Sequence, residues 1–110
     1  MATETRKVLG QADLAAATLT AVYTVPAATQ AVVSSIMVCN RAAVPTTVRV
    51  SVAVAGAADA VKQYIYYDVK VLGTDTLAAT LGITLGAGDI VRFRAVAAGV
   101  SASVFGVEIA

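Results

Sequence analysis

Histidine and tryptophan are absent from this chain of 110 residues, and it holds one cysteine and two prolines. Without histidine the commonest general base and the commonest metal ligand are missing. A lone Cys39 forms no internal disulfide, and with no histidine beside it there is no thiol–imidazole nucleophile. Its place mid-strand in I-M-V-C-N predicts a buried thiol acting as a small hydrophobe. Four N or S ligands for zinc are not present, and no D-x-D-x-D-G run offers a calcium loop. Gly86-Ala87-Gly88 lacks the lysine and the following helix of a phosphate loop. It reads as a hairpin turn. Paired carboxylates for sugar cleavage remain formally open, but aromatics are only 5% of the chain, too few to line such a cleft. The expectation is no enzyme, no cofactor and no metal.

Charge is scarce too. Charged residues are 14% of the chain and the net charge is +1, against about 25% charged in an average soluble domain. No field of one sign emerges to attract nucleic acid or an anionic membrane. The uncharged run from Leu14 to Asn40 is long enough to span a bilayer. However, Pro26, Gln30, two serines and four threonines interrupt it, and alanine dominates its first half. Gln11 and Asp13 likewise break any secretory signal that Arg6 and Lys7 could start.

What the chain does have is alternation. Thr47 to Ala55 reads T-V-R-V-S-V-A-V-A. Val48, Val50, Val52 and Val54 fall on one side of an extended chain, and Thr47, Arg49, Ser51 and Ala53 on the other. A period of two is a strand with one buried face. The outward set is small and nearly flat, suited to lying against another subunit. Further strands are expected at 19–25, 30–41, 62–72, 90–96 and 100–109, with one or two short strands in 76–85 and a short edge strand at Val8-Leu9. Residues 13–17 read as a loop. Both faces of 30–41 are apolar, so this strand is central or lies in a subunit contact. Pro26, Gly56, Gly73, Gly86-Ala87-Gly88 and Gly99 punctuate the segments. About eight strands at regular spacing predict an all-β, single-domain antiparallel β-sandwich, jelly-roll-like, over residues 8–110. Residues 1–7 read as a flexible N-terminal arm.

The core is thin. The sequence holds 24 Ala and 19 Val, against two Phe and four Tyr. Such side chains bury modest area, and a 58% hydrophobic composition points to apolar surface that meets another chain. The candidate interface residues are Thr3, Glu4, Arg6 and Lys7 in the arm, Tyr64 and Tyr66 in Tyr64-Ile65-Tyr66-Tyr67, and Arg92 and Arg94. Strict alternation would place Ile65, Tyr67, Val69 and Val71 on one face of 62–72, and Tyr64, Tyr66, Asp68 and Lys70 on the other. Tyrosine combines apolar area with a polar tip, and the two arginines could pair with a partner's carboxylates. The arm could add a strand to a neighbour's sheet edge.

Read as a string, the chain resembles a family of small tailed-phage virion proteins. The carrying residues are V-L-G-Q from Val8, T-L-T-A-V-Y-T-V-P-A-A-T from Thr18 and V-V-S-S-I-M-V-C-N-R from Val32. T-T-V-R-V-S-V-A-V-A-G-A-A-D-A from Thr46, K-Q-Y-I-Y-Y-D from Lys62, G-I-T-L-G-A-G-D-I-V-R from Gly82 and F-G-V-E-I from Phe105 complete the match. R-F-R-A-V-A-A-G-V, from Arg92 to Val100, is less polar than the pattern. Members are similar to head decoration (cement) proteins of cyanophage-like capsids. The resemblance implies a homotrimer that sits on the capsid surface of the virion, bridges subunits of the phage major capsid protein and is assembled in the host bacterial cytoplasm. It carries no catalytic residues. The alternative is a tail, baseplate or fibre component, including a carbohydrate-binding adhesin module with Tyr64 and Tyr66 as its platform.

Overall fold

The computed structural model describes residues Thr3 to Ala110. Met1 and Ala2, the first two residues of the expected arm, lie outside the described residues. Eight strands make two antiparallel four-stranded sheets. They are β1 (Glu4–Leu14), β2 (Thr20–Thr24), β3 (Gln30–Asn40), β4 (Thr46–Ala53), β5 (Tyr64–Val71), β6 (Thr76–Leu85), β7 (Ile90–Ala95) and β8 (Val100–Ile109). Sheet A has the order β1-β8-β3-β6 and sheet B the order β2-β7-β4-β5. Each sheet interleaves early and late strands, which is the double Greek key of a jelly roll. The single-domain sandwich expected from the alternation is thus observed, and 76–85 is one strand.

The core lies between the sheets and is built by period-two alternation. In β7 Val91, Phe93 and Ala95 are fully buried while Arg92 and Arg94 face out. In β4 Val48 and Val50 point in beside them. Sheet A answers with Val33, Ile36, Val38, Ala102 and Val104. Asn40 is a fully buried polar side chain at the margin of the core, and its amide donates to the carbonyls of Val44, Val71 and Leu72. That satisfies a buried donor group and ties β3 to the turn after β5.

Three local readings change. First, the arm is strand from Glu4 onward, pairing Glu4 to Val8 with Ile109 to Phe105. Backbone bonds between Thr3 and Ala110, 2.6 and 3.0 Å, extend the ladder. Glu4 and Arg6 can be charged there because an edge strand leaves one side in water. β1 also runs on through Asp13, so the expected 13–17 loop begins only after Leu14.

Second, bulges alter parity. In β3 the register shifts between Val33 and Ser35, so Val33 and Ile36 both point inward. Met37 and Cys39 then share the outer face of sheet A, where Cys39 is half-buried rather than enclosed. β3 is central, as its two apolar faces implied.

Third, Ser51 and Ala53 are fully buried although they sit on the outer side of β4. The β4–β5 connection of the same chain folds back over them, pinned by Arg92 Nη1 donating to the Ala57 carbonyl at 2.9 Å. Only the Thr47–Arg49 half of that flat strand face is left for another subunit.

Thin side chains bring backbones close together. A Cβ at Gly10 would lie 2.2 Å from the Val22 carbonyl oxygen, where β1 closes against β2. A Cβ at Gly106 would lie 2.1 Å from the Val32 carbonyl oxygen at the β3 bulge. Gly106→Ala should therefore cost about 3 kcal/mol through forced backbone movement. Thermal unfolding should show a Tm lower by roughly 10 °C; an unchanged Tm would contradict this packing.

Candidate interface on the outer face of sheet B

The outer face of sheet B gathers most of the sequence-level candidates. β7 contributes Arg92 and Arg94, because Val91, Phe93 and Ala95 take the core side. β4 places Arg49 directly across from Arg94. Lys70, beside Thr47, adds a fourth cation from β5. Like charges directly opposite on neighbouring strands destabilise a sheet; among the described residues Asp68 pairs with these cations and Asp59 lies against Tyr64 at the margin of the face.

Asp68 is placed by a break in β5. The register shifts between the Val48–Val69 and Val50–Tyr66 pairs, and again before Ser51–Tyr64. Asp68 has φ +54°, a left-handed conformation that Asp tolerates better than most side chains. The result reverses part of the expected parity. Tyr66 turns inward and packs on the core, so it leaves the candidate interface. Tyr67 turns outward, 56% exposed, and takes its place beside Tyr64. The two rings meet edge to face, with centroids 5.1 Å apart and planes at 87°.

Arg49 links these parts. Its Nε and Nη2 donate to the two Asp68 carboxylate oxygens at 2.6 and 3.1 Å, a bidentate fork. Its guanidinium carbon lies 4.1 Å from the Tyr67 ring centroid, within cation–π range. The hydrogen bonds from Arg49 hold the Asp68 carboxyl below the usual carboxylate range, and the nearby charge of Arg94 pulls the same way. Burial, with the Asp59 carboxylate second, pushes the Tyr64 phenol up. Arg94 has no carboxylate of its own on this face among the described residues.

Thr3, Glu4, Arg6 and Lys7 do not join this cluster. They run along the free edge of sheet A. Lys7 is engaged within the chain, its Nζ 2.9 Å from Glu108 Oε1. Tyr23 in sheet B donates its hydroxyl to Glu108 Oε2 at 2.7 Å. This bridge clamps the end of β8 to both sheets. Burial, then the Glu108 carboxylate, raises the Tyr23 phenol.

Sequence reasoning named Arg92, Arg94 and Tyr64. It missed Arg49, Tyr67 and Asp68 as a unit because a bulge, not the residue pattern, brings them together. Among the described residues no three of His, Cys, Asp and Glu are grouped to hold a metal, and no helix is long and apolar enough to cross a membrane.

Two outcomes follow from these charges. The Lys7 ammonium and the Tyr23 hydroxyl lower the Glu108 pKa on folding. The stabilisation is then complete above the unfolded glutamate value, about 4.3, and is lost as pH falls through the folded value. Glu108→Gln should be less stable than the parent at neutral pH, and the gap should close below about pH 4; a gap independent of pH would refute the bridge. Asp68→Asn keeps a residue that accepts positive φ but removes the carboxylate that pairs with Arg49. Its Tm should fall below that of the parent at about 0.01 M salt and approach it at about 1 M, where charges are screened within a few ångströms. Compared with known proteins, the sequence matches no family model and no curated protein.

Proposed function

We propose that this chain is a structural virion protein of a tailed phage, a capsid decoration protein that clamps the outer shell by burial and charge pairing. The observation that carries the reading is the outer face of sheet B. There Arg49, Lys70, Arg92 and Arg94 share one face, on which Asp68 pairs with Arg49 and the Asp59 carboxylate lies by Tyr64. A cross-strand arginine pair with so little compensation costs the isolated protomer stability. A partner that supplies carboxylates recovers it, since planar guanidinium groups match carboxylates in pairs. The natural partner under this reading is the phage major capsid protein, whose seams must resist the pressure of packaged DNA.

The slab shape supports the same reading. The molecule measures 48 × 27 × 19 Å, thin enough to lie flat across a seam. The sugar-binding tail module is less well supported. Sugar rings stack on free aromatic faces, whereas Arg49 already covers Tyr67 and the two rings, set edge to face, offer no flat shared platform. Localisation to the virion surface and the absence of catalysis are parts of the proposal.

Purified protein should bind mature, expanded shells in a fixed ratio to the major capsid protein and raise their disruption temperature. Arg94→Glu should fold, because the new carboxylate faces Arg49. It should lose shell affinity by roughly tenfold or more, mostly at low salt. Recovery of the protein only in tail fractions, or full shell binding by Arg94→Glu, would overturn the proposal.

A further inference from the structure

The two long flanks of the sandwich differ. The β1–β2 flank is closed, since β1 approaches β2 so tightly that only glycine fits at Gly10. No comparable closure joins β6 to β5 on the opposite flank. Leu77, Ala79, Leu81 and Ile83 of β6 pack on the core but are only partly buried, because no further strand covers them.

The four free edges also differ in how they are guarded. β1 carries Glu4, Arg6, Lys7 and Asp13 and a register break before Gly10. β2 is five residues long and broken between Ala21 and Tyr23. β5 has Lys70 and the irregular turn at Asp68. Charges, bulges and shortness are the usual ways to prevent edge pairing. β6 runs ten residues, T-L-A-A-T-L-G-I-T-L, with no charge and no proline. Its register against β3 shifts between Ile83 and Thr80, yet its in–out alternation continues unbroken along the strand.

Gly82 adds a separate observation. A Cβ there would meet nothing within 4 Å, and its φ is not in the left-handed region. Crowding within the protomer does not call for a glycine, although Gly82 lies in the register break between Ile83 and Thr80. Glycine inside a strand marks a bulge or a close approach by another backbone.

We propose that the β6 edge is the pairing surface for a second copy of this chain, joined antiparallel about a two-fold axis. The strand is self-complementary in that arrangement. With the axis at Thr80, Leu77 faces Ile83 and Ala79 faces Leu81 across the core side. On the outer side Thr76 faces Thr84, and Ala78 faces Gly82, the smallest pair. Parity is kept, so core-facing residues meet core-facing residues, and no charge is opposed by a like charge. The size fits as well. A ten-residue strand is about 33 Å long, and the slab is 19 Å thick. The flank therefore offers about 600 Å² per copy, or about 1,200 Å² in all, the lower bound of a stable interface. The ladder adds about ten backbone hydrogen bonds, the number such an interface carries. This arrangement rests on the reading of the chain as an assembling protein, and it makes the repeating unit two-fold where the family resemblance implies three.

Sedimentation of the purified full chain tests it. The parent should have the mass of two copies, and Ala79→Lys should have half that mass with an unchanged circular dichroism spectrum. Lysine at 79 reaches water along the open flank of a protomer but is trapped against Leu81 in the pair. As a second measurement that does not depend on a disruptive change, Thr80→Cys in a Cys39→Ser background should form a disulfide between copies on oxidation. Paired residues on antiparallel strands lie within disulfide reach. Thr47→Cys in the same background, on the far sheet, should not. A parent of one or three copies, or no crosslink at Thr80→Cys, would overturn the pairing. A dimer that ignores shells would leave the pairing standing and remove the decoration reading; a shell-binding monomer would do the reverse.

Discussion

Two sheets packed through valine and alanine must lie close, because these side chains reach only a short way into the gap. The consequences run through the whole molecule. Where β1 crosses near β2 there is no room for a Cβ, so Gly10 closes that flank. Where β3 bulges between its neighbours, Gly106 yields to the Val32 carbonyl. The largest fully buried side chain, Phe93, occupies the middle of β7 with Val48, Val50 and Val91 around it. A protomer built this way gains little area per side chain, so its stability leans on the backbone ladders of the two sheets.

The period of two was legible in the sequence wherever the strand runs straight. β7 and β8 alternate without interruption through Gly106, and their core faces follow from counting; β4 does so through Val52, but Val54, expected on the same core face, lies in the turn after the strand and is exposed. Counting fails at bulges, since one extra residue exchanges the two faces. Tyr66 and Tyr67 changed sides for that reason, and Met37 and Cys39 moved to the surface of sheet A. No residue type announced these breaks. Most glycine and proline signals mark turns, whereas the bulges that moved these side chains fall at Ser34 and around Asp68; Gly10 and Gly82 adjoin other register breaks. Glu4 to Lys7 were hidden differently. Their polarity reads as an arm, but an edge strand needs only one neighbour and accepts charge on its open side.

Net charge concealed a second feature. A total of +1 suggests an electrostatically bland surface, yet the sheet orders sort the charges. β4, β5 and β7 lie side by side, and each sends cations to the same outer face. Most acidic residues are elsewhere, at Glu4, Asp13, Asp75, Asp89 and Glu108; Asp68 sits among the arginines and Asp59 by Tyr64 at their margin. A field of this kind acts at short range, because beyond about 8 Å salt screens it. It suits a partner already in contact more than one drawn from a distance.

Under the two readings proposed above, edge and face would serve association differently, and the molecule separates them. The charged face of sheet B sets chemistry: it accepts carboxylates and rejects cations, and it weakens as salt rises. The β6 edge sets geometry: it demands an extended strand in one register and is indifferent to salt. β6 belongs to sheet A, and sheet B faces the other way. A second copy added at β6 therefore extends the slab sideways and leaves both cationic faces on one broad side only if the two-fold axis runs perpendicular to the sheets. An antiparallel pair joined edge to edge in a continuous sheet has its axis in that direction. The pairing proposed for the edge thus doubles the charged surface on a single side. That is the arrangement a flat partner could engage twice, with the second contact made at high effective concentration.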